Sequence, residues 1–189
     1  MPPEFQRAIV QDASGNPQIV VDAVIPPLFP GTVLVKTAAV ALNPTDHKTG
    51  AAFPAPGAVV GMDFSGTIVD IHPDTQTSFA LGDSVCGVVY GSNPSARDDG
   101  AFADYVRVHT DFLLRVPSTL VPDTDNQIAP AASLGVALVT SALALWGPNG
   151  MGLTATPEAL APEPEENADG QRAAKTPVLV FGGSTPAAP

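Results

Sequence analysis

Short runs rich in Val, Ile or Phe, each closed by Gly, Pro, Asn or Asp, fill the first 110 residues and predict strands at 7–11, 18–24, 32–41, 63–71, 84–90 and 103–108. Their spacing predicts a small barrel-like β domain. From 128 to 146 the pattern changes to a long Ala/Leu/Val stretch with no proline after Pro130, which predicts a buried helix or helix pair ended by the GPNG turn at 147–150. Residues 151–175 are Pro-, Glu- and Ala-rich with few large apolar groups, a composition that cannot repay the entropy of ordering and predicts a mobile loop. An apolar strand follows and runs into Gly182, Gly183, Ser184 and Thr185, as a nucleotide-binding α/β unit begins. No internal repeat is visible.

Composition narrows the picture. Length alone allows one or two domains, and 44% hydrophobic residues suffice for a sizeable core. The 21 prolines and 17 glycines punctuate strands and do not gather into a low-complexity tract. A net charge of −11 disfavours a nonspecific grip on nucleic acid or an anionic membrane, so neither is an expected partner, and any cofactor phosphate must be held locally. The single Cys86 cannot form an internal disulfide or a thiolate zinc cluster, which fits a cytoplasmic setting. Pro2, Pro3 and Glu4 stand where a signal peptide would be basic and then apolar, and no segment is expected to reach the roughly 18 apolar residues of a membrane span.

The glycine pair at 182–183 would let backbone N–H groups and the two hydroxyls beside it approach a phosphate, because no Cβ stands in the way. An ordinary strand-turn explains the segment equally well when it stands alone, and Pro186 and Pro189 replace the helix opening that a full dinucleotide fingerprint requires. Asp46 and Asp63 lie near strand ends, where a carboxylate serves as a base or as a turn cap; capping suits Asp46 at least as well. His47, His72 and His109 show no metal-ligand spacing. Tyr90 and Tyr105 read as packing residues, and Trp146 as an interdomain packing anchor.

Five blocks in order carry a family resemblance: VKTAAVALNPTDHKTG at 35–50, GMDFSGTIV at 61–69, GDSVCG at 82–87, GAFADYV at 100–106 and AASLGVALVTSA at 131–142. Together with the Gly-Gly-Ser-Thr turn they resemble the medium-chain dehydrogenases and reductases. That resemblance implies a mainly β GroES-like, barrel-type catalytic domain plus the first strand of an incomplete Rossmann α/β domain. The expected divisions are a GroES-like domain at 1–127, a linking helix region at 128–150, a flexible loop at 151–175 and the start of a truncated NADP-binding domain at 176–189. Zinc-bearing members hold their catalytic metal with a Cys, a His and a second Cys or Asp; here Asn43 and Met62 stand in the first two places, so no metal is expected. Reducing a C=C bond conjugated to a carbonyl needs none, because the carbonyl accepts the charge that hydride addition creates.

Among zinc-free members the chain is most similar to the fungal trans-acting enoyl reductases, which serve polyketide synthases. The resemblance implies NADPH as cofactor, touched by Thr45, Asp46, His47 and Lys48 and by Gly182, Gly183, Ser184 and Thr185. It implies an acyl pocket lined by Ala132, Ser133, Leu134, Gly135, Val136, Ala137, Leu138 and Val139. Lys48 and Thr140 are the catalytic candidates. Lys48 would hold a cofactor phosphate or ribose hydroxyl, or relay a proton through water, and Thr140 would bond the nicotinamide amide or the substrate carbonyl. Left to themselves, Lys48 reads as a solvated loop charge and Thr140 as a helix residue bonded to its own backbone. The implied partner is a polyketide synthase, or a hybrid with a peptide synthetase, whose carrier protein tethers the acyl chain; the reductase itself is expected to be monomeric. About five further strands with their helices would complete the nucleotide-binding half, so the chain is expected to be a fragment or a shortened form that binds NADPH poorly alone. A quinone or general enone reductase and an inactive GroES-like interaction module are the rival readings.

Overall fold

Val- and Ile-rich runs become strands because branched side chains pack well on a pleated, half-buried surface. In the computed structural model, which describes residues 3–116 and 128–153, they form β1 (Phe5–Gln11), β2 (Pro17–Val24), β3 (Thr32–Ala41), β4 (Asp63–Ile71), β5 (Ser84–Val88), β6 (Tyr105–His109) and β7 (Leu113–Arg115). Two α-helices, α1 (Pro44–Ala52) and α2 (Leu134–Trp146), and 3-10 turns at Thr110–Phe112 and Ala129–Ser133 accompany them. The first hairpin pairs β1 with β2; the other strands form one antiparallel sheet in the order β6-β3-β4-β5-β7. Bridges at Ala8↔Ala103 and Val10↔Val59 tie the hairpin to the remainder.

The long β3 lies between β6 and β4, with Val35 opposite Val106 and Val40 opposite Phe64. Val33, Val35, Phe64, Ile68, Val85, Val106 and Val108 supply the core. Each such side chain contributes about 1.5–3 kcal/mol by leaving water. Two loops are pinned to the sheet by a buried cation. Arg107 Nη1 donates to Asp98 at 2.9 Å and to Pro27 O at 2.9 Å, Nη2 donates to Asp99 at 2.6 Å, and the guanidinium lies 4.9 Å from the Phe29 ring centroid.

Chain geometry divides the protein into a unit of residues 1–136 and a second that begins at Ala137. In the second, α2 closes in a turn where Met151 N–H donates to Ala144 O at 2.7 Å and Leu153 N–H to Leu145 O at 2.9 Å.

Several expectations need correction. β6 starts two residues later than predicted, because the preceding N–H groups are turned elsewhere: Ala103 donates to Ala101 O and Asp104 to Arg7 O. β5 ends at Val88, and a short β7 and the helix α1 were not expected. The helical stretch after 128 was expected to be buried, yet Leu138, Val139 and Leu143 are exposed. The expectation that no apolar segment is long enough to span a membrane also fails: Ala129–Trp146 is helical for 18 residues with a mean hydropathy of 1.6, which suffices by length and composition. Its beginning has another role, since Ala131 packs with Cys86, Val116 and Ile128 in a core cluster and Ala132 is buried. The expected loop from 154 onward and the strand before Gly182 lie outside the described residues.

Candidate functional site

Asn43-Pro44-Thr45-Asp46 is a helix-start sequence. Asn43 is extended (φ −117°, ψ 149°), Pro44 needs no N–H in the first turn, and Asp46 reaches back so that its Oδ2 accepts the Asn43 N–H at 2.7 Å. The capping reading of Asp46 therefore holds, and Lys48 lies on a helix, not in a loop. The helix leaves Thr45, His47 and Lys48 exposed. Thr45 Oγ1 donates to Met62 Sδ at 3.3 Å, which ties this first turn to the strand entrance.

Asp63, the first residue of β4, is 1% exposed. Its Oδ2 accepts from Asn43 Nδ2 at 2.9 Å, and its Oδ1 accepts the Val136 N–H, in the first turn of α2, at 2.7 Å. Gly135 makes this approach possible: a Cβ there would stand 2.6 Å from both Asp63 Oδ1 and Gly87 O. Burial raises the pKa of Asp63 above its ordinary value, opposed by those two hydrogen bonds. Burial likewise raises Asp46, and the neighbouring Asp63 charge adds to it. Cys86, also buried, has its thiol pushed up by desolvation and then by Asp63. Gly61, just before the site, has a φ of 95° and the Phe102 ring packed where a side chain would be, so both the conformation and the space require glycine.

The structure brings Thr45, Asp46, His47 and Lys48 together on one helical segment. Of the residues expected to line an acyl pocket, Ala132 and Gly135 are buried, Ser133 Oγ donates to Pro130 O at 2.9 Å, Leu134 is exposed and Val136 is half-buried. Ala137 is half-buried in the second unit, where Leu138, Val139 and Thr140 are exposed. Gly182, Gly183, Ser184 and Thr185 lie outside the described residues. The two positions matching zinc ligands are engaged otherwise: the Asn43 amide with Asp63, the Met62 sulfur with Thr45. Among the described residues, no three His, Cys, Asp or Glu side chains are grouped to hold a metal. The Asn43–Asp63–Val136 linkage escaped the sequence reading. A helix-start motif and a strand opening on Asp were its only local signals.

A mostly antiparallel β fold, a capped helix after the long central strand and a buried polar junction at the next strand's start frame the candidate site. Residues 29–118 match the alcohol dehydrogenase GroES-like domain, and the chain is similar to the medium-chain dehydrogenases and reductases. Trans-enoyl reductase TwmE of Talaromyces wortmannii is 44% identical over 97% of this chain and 48% of its own length, and trans-enoyl reductase caaB of Aspergillus niger is 42% identical over 97% and 47%. The chain thus spans about half the length of the curated relatives it matches. Among solved structures, an alcohol dehydrogenase superfamily protein from Novosphingobium aromaticivorans superposes with a TM-score of 0.61 at 26% identity, covering 80% of this chain and 43% of that one. A quinone oxidoreductase from Coxiella burnetii gives 0.58 at 26%, covering 75% and 44%.

Proposed function

We propose that the chain belongs to an NADPH-dependent trans-acting enoyl reductase that reduces an α,β-unsaturated polyketide thioester held on the carrier protein of a cytoplasmic synthase. The observation that carries this reading is kinship to trans-enoyl reductases along 97% of the chain. The exposed polar face of α1 supports it. Lys48, which makes no ion pair among the described residues, is available to a cofactor phosphate or ribose hydroxyl, and Thr45 is oriented by Met62 beside it. NADPH, when bound, supplies the hydride that adds to the β-carbon of the enoyl group. This chain's own contribution is positioning: α1 binds and orients, and the exposed Thr140 hydroxyl is offered as a hydrogen-bond donor to a carbonyl oxygen.

The test is NADPH consumption by the full chain with an enoyl thioester and with a quinone. Faster turnover of the thioester supports the proposal. Preference for the quinone favours the alternative suggested by the Coxiella burnetii neighbour. No turnover, with binding to a synthase, leaves an interaction module. Lys48→Ala is expected to raise the KM for NADPH about tenfold, the loss of one charge-assisted contact.

A further inference from the structure

Asp63 stands on backbone that is paired on both sides, opposite Ala41 at the end of β3 and Val88 at the end of β5, so its carboxylate is anchored where three strands meet. From that fixed point its two oxygens reach different elements: Oδ2 the Asn43 side chain that opens α1, Oδ1 the Val136 N–H in the first turn of α2. Gly135 lets α2 begin against the carboxylate, where a negative charge also suits the positive end of a helix. Hydrogen bonds to a charged acceptor are stronger than neutral ones, so the two together hold one arrangement of two helix starts.

We propose that Asp63 is the positioning residue of the site: by bonding Asn43 and Val136 at once it fixes the start of α1 against the start of α2 and so presents Thr45 and Lys48 in a single orientation. It touches neither cofactor nor substrate itself. The proposal takes from the reductase reading only the identity of the molecule that α1 meets.

Asp63→Asn is nearly isosteric. It keeps an oxygen for Val136 but sets an NH2 group against Asn43 Nδ2, donor against donor. Exchanging the partners in N43D/D63N restores a donor–acceptor pair. The single variant is expected to raise the KM for NADPH about fivefold with kcat within about twofold, and the exchanged pair to recover most of that loss, as coupled neighbours do. An unchanged KM in D63N, or a double variant no better than the single, overturns the proposal. Should D63N not fold, Asn43→Ser takes its place, because serine caps a helix but is too short to keep the contact with Asp63.

Amide hydrogen exchange reads the same clamp without turnover. Faster exchange at Val136 and in the first turn of α1 in D63N supports it; unchanged exchange at either helix start overturns it. If the wild-type protein reduces no enoyl thioester, the reductase reading fails and the exchange measurement alone decides the role of Asp63.

Discussion

Burial that lifts the pKa of Asp46 and Asp63 makes each carboxyl favour the folded state while it is protonated, below an unfolded value of about 4, and that contribution is lost as pH rises through the raised folded value. Asp63→Asn has no such titration. The stability difference between wild type and D63N is therefore expected to be most favourable to the wild type below about pH 4 and to shrink towards about pH 7, as urea midpoints at several pH values will show. Asp83 and Asp104 work in the opposite sense: hydrogen bonds from Arg115 and Arg7 hold them low, so their stabilisation is present at neutral pH and fades on acidification. Gly135→Ala forces a methyl group between Asp63 Oδ1 and Gly87 O and is expected to cost about 1–3 kcal/mol, read as a lower melting temperature. At this scale the sequence was partly legible. Asp46 could be read as a cap because its partner is three residues away; the Asp63 bonds could not, because their donors lie 20 and 73 residues off and meet it only after the sheet has formed.

Elements built from local signals were the readable ones. The predicted ranges 32–41 and 63–71 coincide with β3 and β4, whose branched residues run between clear turn formers. Helix α1 was hidden because Asn-Pro-Thr-Asp also reads as a turn, though the same residues are an N-cap, a first-turn proline and a capping acid. The three-residue β7 has too little sequence to carry a pattern and exists because β5 offers it an edge, Cys86 opposite Leu114. Between elements, Arg107 has the largest expected effect. With its side chain 7% exposed, truncation to Ala would leave Asp98 and Asp99 without their cation and free the loop that Pro27 anchors. A loss of about 3 kcal/mol is expected in chemical unfolding, while Arg107→Lys, which lacks the fork geometry, should recover only part of it.

For the whole molecule, an acidic charge excess coexists with unusual apolar exposure. Ile19, Leu42 and Val40 border an open groove of about 370 Å³ with Phe102 in the first unit, and Leu138 and Leu143 are exposed in the second. A dye that brightens on apolar surfaces is expected to bind the native chain, and Leu42→Glu to reduce that signal while leaving the melting temperature within about 1 °C, since this side chain is already 83% exposed. None of this exposure was visible in one dimension, because hydropathy records how apolar a residue is and not what covers it. The position of Cys86 has a practical consequence. Sheltered in β5 with a weakly acidic sulfur, it should ignore maleimides in the native protein, so a second cysteine placed on the outer face of α1 would become the sole attachment point for a spectroscopic reporter, with no need to mutate the native one.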